Sequence, residues 1–216
     1  MSTTNRRTLP EGIYGITAER FSRGRSNVDV AREMIAGGVK ILQYREKHGA
    51  KSFRDMLTQC RAIRKLTREH GVVFMVNDDV DLALAAEADG VHIGQDDLPP
   101  EWVRSRVGER IVGLSTHSPE QARAAEKAGV DYIGVGPIFA TGTKADVCDP
   151  VGLEYLQYCT AHISLPQVAI GGIKAQNIAQ VAACGARTVC LVTEIVSADD
   201  ISGMVRALAQ ALGSEV

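Results

Sequence analysis

The sequence lacks the features that mark membrane, nucleic-acid-binding or disulfide-stabilised proteins. No apolar run approaches the roughly 20 residues needed to cross a bilayer, and the formal net charge is only −2 over 216 residues. Because so small a charge produces no strong long-range field, we expect neither nucleic acid nor a membrane as a partner. The five cysteines form no CxxC pair. Reduced thiols in a cytoplasmic protein are therefore expected, without a disulfide framework or a structural zinc site.

The amino-terminal segment also lacks an apolar stretch. Residues 1–7 read MSTTNRR, which indicates that residues 1–11 form a polar tail and not a secretory signal. The composition is 45% hydrophobic and 23% charged, as is typical of a folded globular domain and not of a disordered or fibrous chain. We therefore expect residues 1–216 to form a single catalytic domain.

Eight short apolar, β-branched runs recur along the chain, and each is followed by a stretch of helical period. They occupy residues 13–17, 39–44, 72–76, 90–94, 111–115, 132–136, 167–171 and 188–192. Runs that are apolar along their whole length are typical of parallel strands buried on both faces, and eight such strands close a barrel. The pattern predicts an α/β fold, a single (β/α)8 TIM barrel, with a doubly wound open sheet as the alternative.

Helix boundary signals separate these runs. Asn27 is expected to cap the first helix, and Ser52 the second, with Gly71 as its left-handed stop. Another helix, after the fifth strand, is expected to start at Ser118-Pro119, because proline suits the first helical position.

Cationic side chains follow the second predicted strand, which ends in Gln43-Tyr44-Arg45-Glu46-Lys47. Strand alternation places Gln43, Arg45 and Lys47 on one side. Arginine grips phosphate bidentately and lysine adds a compact charge, so this row predicts a phosphate cradle. The alternative is a solvated basic strand end.

Acidic pairs follow the third and fourth strands, in Asn77-Asp78-Asp79 and Gln95-Asp96-Asp97. Carboxylates from two adjacent strand ends suit Mg²⁺, which also takes water and substrate phosphate as ligands. The alternative is helix capping, by Asp79 or Asp97, and we expect it for one acid of each pair.

Further hydrogen-bond donors follow the later strands. The loop after the sixth strand contains Thr141, Thr143 and Lys144, the seventh strand ends in Gly171-Gly172, and Thr193 follows the eighth. Glycines and donors after the last two strands are typical of the phosphate site of such barrels. Together with the cationic row they predict two anion sites, and hence two phosphorylated substrates. His117, after the fifth strand, is either a base or a hydrogen-bonded structural group, and we favour the second.

These motifs together resemble the thiamine phosphate synthase family. The resemblance covers residues 14–212 and rests on the order and spacing of 43–47, 76–79, 90–97, 113–115, 134–137 with 141–144, and 170–173. It implies a transferase of thiamine biosynthesis that joins hydroxymethylpyrimidine pyrophosphate to a thiazole phosphate, carboxylated or not, and releases pyrophosphate. The sequence leaves open whether the chain forms a homo-oligomer.

The resemblance also implies roles for individual residues. The metal Mg²⁺ is expected on Asp78 and Asp97. Catalytic roles are expected for Arg45, Lys47, Ser115 and Lys144. The substrates are expected to contact Gln43, Arg45, Lys47, Asn77, Ser115, Thr141, Thr143, Lys144, Gly172, Val192 and Thr193.

One residue departs from the family pattern, and two other functions compete with the transferase. Glu194 stands where the family more often has a small residue, which places a carboxylate close to the expected thiazole phosphate contacts. A thiazole tautomerase on the same barrel would need an acid–base pair and one phosphate site. A non-catalytic binder of thiazole phosphate or thiamine phosphate would need neither catalysis nor metal. The joint presence of the cationic row and the two acids favours the transferase.

Overall fold

The parallel strands of the chain close into a barrel. The computed structural model describes residues 9–46, 49–143 and 148–214. Each strand pairs with the next in the sequence, and the eighth pairs with the first, Thr188 opposite Gly12. The strands are β1 (Gly12–Ile16), β2 (Ile41–Tyr44), β3 (Val73–Asn77), β4 (Gly90–Ile93), β5 (Ile111–Thr116), β6 (Tyr132–Val135), β7 (Gln167–Ile170) and β8 (Thr188–Leu191). The predicted (β/α)8 barrel is confirmed, with strand ends shifted by at most two residues, and the open-sheet alternative is wrong.

Helices cover the outside of the barrel. A short 3-10 helix, Glu19–Phe21, precedes α1, and the last strand is followed by two helices. The helices are α1 (Asn27–Ala36), α2 (Phe53–His70), α3 (Val80–Ala85), α4 (Pro100–Val107), α5 (Pro119–Lys127), α6 (Gly152–His162), α7 (Ile178–Ala183), α8 (Thr193–Val196) and α9 (Ile201–Leu212). Within the described ranges, none of them is long and apolar enough to span a bilayer.

The helix starts follow local hydrogen-bonding chemistry, with one correction. The side chains of Ser52 and Ser118 accept from backbone N–H groups of α2 and α5 as predicted, and Gly71 ends α2 in the left-handed region at φ 66°. The cap of α1 is Ser26, not Asn27, because Ser26 Oγ accepts from the backbone N–H of Asp29. Asn27 is instead the first residue of the helix, and it is buried.

The apolar side chains form two layers, one inside the barrel and one between the barrel and the helices. The inner layer fills the space that the closed sheet encloses and consists of Tyr14, Ile16, Ile41, Met75, Ile111, Tyr132, Val168 and Cys190. The outer layer is larger and contains the other faces of the strands, such as Leu42, Phe74 and Val91. Burial on both faces explains why the strands are apolar along their whole length.

One glycine shows how closely neighbouring strands approach. A Cβ atom on Gly90 of β4 would lie 2.3 Å from the backbone oxygen of Ile111 on β5. That oxygen belongs to the sheet and cannot rotate away. We therefore predict that Gly90→Ala lowers the free energy of unfolding by about 1–3 kcal/mol, the usual range for overpacking.

Gly142→Ala is the matched control, because a Cβ atom there meets no atom of the described residues within 4 Å. Its unfolding free energy should stay within about 0.5 kcal/mol of the parent value. Denaturant titration with an unchanged slope measures both variants. Equal stability of Gly90→Ala and the parent protein would show that β4 and β5 can move apart without a cost in free energy.

Candidate functional site

A cavity of about 410 Å³ opens at the carboxyl ends of the strands. Nine of the eleven predicted substrate contacts line it: Gln43, Arg45, Asn77, Ser115, Thr141, Thr143, Gly172, Val192 and Thr193. The other two, Lys47 and Lys144, lie outside the described residues. The barrel therefore brings together side chains that are far apart in the sequence, because every strand ends at the same mouth.

Strand alternation places the cationic row as expected within the described residues. Gln43 and Arg45 line the cavity, whereas Tyr44 packs into the outer apolar layer. Glu46 also turns outward, where its Oε2 accepts a hydrogen bond from Asn27 Nδ2 at 3.0 Å. The end of β2 is tied to the end of β1, since the backbone N–H of Arg45 donates to Thr17 Oγ1 at 3.2 Å.

The guanidinium of Arg45 is poised for an anion. Its Nε is buried without a hydrogen-bond partner in the described part of the chain. Among the ion pairs of the described residues, none includes Arg45. A partly buried cation without a counter-charge is costly, and a bound phosphate would remove that cost.

A polar cluster outside the barrel supports this strand end. Tyr44 donates to Gln59 Oε1 at 2.9 Å, and Asn27 donates to the same oxygen at 3.2 Å. Lys51 Nζ lies 2.9 Å from Glu19 Oε1. Burial alone would raise the pKa of the Glu19 carboxyl, but hydrogen bonds from Lys51 and Gln59 lower it below its ordinary value. The cluster therefore stays charged and holds β2 against α1 and α2.

The two predicted metal ligands lie at the rim, beyond the cavity lining. Asp78 follows β3 with a left-handed φ of 60°, and its carboxylate accepts from the Asn77 side-chain amide. Asp97 is exposed, and its Oδ2 accepts from the backbone N–H of Gly94 at 2.7 Å. Both are hard oxygen donors on loops after adjacent strands, so the donor chemistry fits Mg²⁺.

The capping alternative holds for one of the two acidic pairs. Asp79 caps α3, because its side chain accepts from the backbone N–H of Leu82 at 2.8 Å. In the second pair the expectation is wrong. Helix α4 starts after Pro99 without a side-chain cap, since Asp97 instead closes the preceding turn onto Gly94.

Hydroxyl and backbone donors line the opposite side of the cavity, and Lys174 lines it after β7. The hydroxyls of Thr141 and Thr143 lie 3.2 Å apart. Gly171 and Gly172 both have left-handed φ angles, of 100° and 63°. A Cβ atom on Gly172 would lie 2.6 Å from the backbone oxygen of Ala140. Glycine therefore lets the turn after β7 pack directly against the loop after β6.

The carboxylate of Glu194 does not line the cavity. Its Oε1 accepts a hydrogen bond from the backbone N–H of Ala175 at 3.0 Å. The side chain therefore ties the start of α8 to the turn before α7. The residue departs from the family pattern without adding a carboxylate to the lining of the cavity.

His117 lines the cavity, and its hydrogen bonds are consistent with the structural role that we favoured. Its ring Nδ1 donates to the backbone oxygen of Gly136, and its backbone N–H donates to Gln121 Oε1 at 2.7 Å. The first bond connects the ends of β5 and β6, and the second joins the end of β5 to α5.

Four polar residues of the cavity were not predicted: Tyr14 on β1, His92 on β4, Tyr132 on β6 and Lys174 after β7. The first three connect Gln43 to Ser115 through hydrogen bonds. Tyr14, His92 and Tyr132 lie within runs that are otherwise apolar, so the sequence did not indicate them as site residues. The available signal was the period of two, since His92 alternates with Val91 and Ile93 of the outer layer and so has to face inward.

Comparison with known proteins gives consistent matches over nearly the whole chain. A family model described as thiamine monophosphate synthase matches residues 13–195. A thiamine-phosphate synthase of Pelotomaculum thermopropionicum is 63% identical over 93% of this chain and 91% of its own length. One of Lawsonia intracellularis is 49% identical over 95% and 94%. The solved thiamine phosphate pyrophosphorylase of Pyrococcus furiosus is 34% identical, covers 94% of this chain and 95% of its own, and superposes with a TM-score of 0.86.

The geometry around Arg45 generates a binding prediction. Arg45→Met removes the charge but keeps much of the side-chain volume. We expect it to weaken the binding of inorganic pyrophosphate by about 2–3 kcal/mol, roughly 30- to 150-fold in Kd. Calorimetric titration measures this change, with Arg68→Met as the control, because Arg68 pairs with Glu87 on the exposed surface. A Kd within about threefold of the parent value would remove Arg45 from the anion site.

Proposed function

The chain belongs to the thiamine monophosphate synthase family, and we propose that the cavity at the mouth of its barrel is where two phosphorylated substrates meet. The protein is a transferase of thiamine biosynthesis that condenses hydroxymethylpyrimidine pyrophosphate with thiazole phosphate to give thiamine phosphate and pyrophosphate. The observation that supports this site is the convergence of two features on one cavity: Arg45, which has no ion pair among the described residues, and the hydroxyl and backbone donors of a threonine–glycine wall.

The two sides of the cavity suit two different anions. Pyrophosphate carries the higher charge, so it belongs on the side of Arg45 and Gln43, next to the acidic rim. The thiazole phosphate belongs on the side of Thr141, Thr143 and Gly172, where hydroxyl and backbone groups donate. We propose from the sequence that Lys47 and Lys144 contribute further positive charges that contact the pyrophosphate.

The residues promote departure of the pyrophosphate. Arg45 is held in place by β2 and the cluster behind it, so it stabilises the developing charge without having to move. Asp78 and Asp97 would hold Mg²⁺, which when bound neutralises charge on the leaving pyrophosphate. Two carboxylates provide fewer than the six oxygen ligands that this ion prefers, so substrate phosphate and water complete the set.

The chemistry needs no general base. The electron-rich aminopyrimidine stabilises a positive charge on its exocyclic carbon, so pyrophosphate departs before the thiazole attacks. The thiazole nitrogen attacks with a lone pair and has no proton to lose. This agrees with His117, whose ring is engaged with a backbone oxygen. Catalysis then rests on positioning and charge stabilisation.

The transferase is favoured over the tautomerase and over a non-catalytic binder. A tautomerase would use one phosphate and an acid–base pair, and it would have no use for the cationic side of the cavity.

We also propose a cytoplasmic location, because all five cysteines are free thiols.

Incubation of the protein with both substrates and Mg²⁺ tests the function. We expect thiamine phosphate and pyrophosphate in equal amounts. Hydrolysis of the pyrimidine pyrophosphate alone, or no reaction, would contradict it.

The same assay tests the acidic rim. Asp78→Asn and Asp97→Asn keep the shape of each side chain but weaken its metal binding. Each should lower turnover about a hundredfold or more at limiting Mg²⁺, if the metal contributes several kcal/mol of charge stabilisation. Asp96→Asn, an exposed neighbour of Asp97, is the control and should keep turnover within about twofold. Parent-like turnover in both rim variants would refute the metal assignment.

His117→Ala tests the absence of a general base. It removes a partly buried hydrogen bond between two strand ends, so we expect a stability loss of about 1–2 kcal/mol and turnover within about fivefold of the parent rate. Thermal unfolding and initial rates measure the two effects. Loss of turnover with intact folding and intact affinity for both substrates would require a base at this position.

A further inference from the structure

A continuous chain of hydrogen bonds crosses the barrel at the cavity. Gln43 Nε2 donates to the Tyr14 hydroxyl at 2.7 Å, which lies 3.1 Å from the Tyr132 hydroxyl. The Tyr132 hydroxyl lies 2.8 Å from His92 Nδ1, and His92 Nε2 lies 2.9 Å from Ser115 Oγ. The chain therefore links β2, β1, β6, β4 and β5.

Counting donors gives the hydrogen-bonded chain a direction. An amide nitrogen can only donate, so Tyr14 accepts from Gln43. The other hydrogen-bond partner of the Tyr14 hydroxyl among the described residues is Tyr132, so the buried Tyr14 proton is satisfied by donation to Tyr132. Tyr132 accepts that proton and has one left, which it donates to His92 Nδ1. Burial raises the pKa of both phenols, so each carries its proton at neutral pH.

The histidine transmits this direction to the serine. Because Nδ1 accepts, the neutral imidazole carries its proton on Nε2, and this proton is donated to Ser115 Oγ. The proton of Ser115 is then available to the cavity, which Ser115 lines.

We propose that this chain is unidirectional, fixing His92 as the Nε2–H neutral tautomer and making the Ser115 hydroxyl a hydrogen-bond donor to the substrate. Tyr14, Tyr132 and His92 are positioning residues in this arrangement. His92 does not activate Ser115 as a nucleophile, since the nitrogen that faces the serine already carries a proton.

The two ends of the chain then offer opposite hydrogen-bonding groups. Ser115 donates, whereas Gln43 Oε1 is buried without a partner among the described residues and can accept. An aminopyrimidine carries both matching groups, an amino donor and ring-nitrogen acceptors. This step rests on the proposed function, whereas the direction of the chain does not.

The reverse direction is the alternative that has to be excluded. If the amide of Gln43 were turned over, Tyr14 would donate to its oxygen and each bond would reverse. His92 would then carry its proton on Nδ1, and Ser115 would donate to Nε2. The tautomer of one histidine therefore reports the direction of the whole chain.

The first test is ¹⁵N NMR of the full-length protein with labelled histidine at about pH 8, above the ordinary imidazole pKa. The five histidines are distinguished by the signal that disappears in His92→Gln. We expect His92 to show a protonated Nε2 and an unprotonated Nδ1. A protonated Nδ1, alone or together with Nε2, would overturn the proposal. This measurement does not depend on turnover, so it stands even if no thiamine phosphate forms.

The second test separates positioning from simple stability. Tyr132→Phe breaks the chain at its centre and should raise KM for the pyrimidine pyrophosphate about tenfold, with KM for thiazole phosphate within about twofold. Tyr155→Phe is the matched control. This variant also removes a buried hydroxyl, which donates to Thr116 Oγ1 at 2.8 Å. Because Tyr155 is not part of the hydrogen-bonded chain, the variant should leave both KM values within about twofold. Equal effects of the two variants, or equal changes in both KM values, would overturn the positioning role.

Discussion

The pairing of β8 with β1 is the constraint on which the rest of the structure depends. Thr188 to Leu191 lie opposite Gly12 to Gly15, and this parallel ladder closes the sheet. Closure encloses an interior that side chains have to fill, and it directs the carboxyl ends of all strands to one mouth. The Tyr14 and Tyr132 side chains are buried inside the barrel. Their hydroxyls bond to each other and to the half-buried His92, and the hydrogen-bonded chain ends at the cavity.

Much of this arrangement could be predicted from the sequence, because the signals were local. The apolar runs predicted the strands, and alternation predicted that Gln43 and Arg45 face the cavity. Asn27 was mistaken for a cap because Ser26 and Asn27 are both good capping residues, and only the hydrogen bond to Asp29 decides between them. The polar chain was missed because its bonds join residues up to 118 positions apart. No local pattern encodes such a contact.

In the proposed arrangement one cavity keeps two anions apart. Arg45 lies at the end of β2, and the two acids follow β3 and β4. The threonines and glycines after β6 and β7 offer hydroxyl and backbone donors. Departure of pyrophosphate on the first side would leave a cation that the thiazole on the second side can reach. The family reaction needs this division, since both substrates are anions that repel each other when free.

The most direct measurement of this division is calorimetric titration of thiazole phosphate into protein that is already saturated with inorganic pyrophosphate and Mg²⁺. Two separate anion positions predict binding of both ligands together, with a Kd for thiazole phosphate within about threefold of its value without pyrophosphate. If pyrophosphate instead displaces thiazole phosphate, so that the apparent Kd rises in proportion to the pyrophosphate concentration, the cavity holds a single anion site and the two-substrate arrangement is wrong.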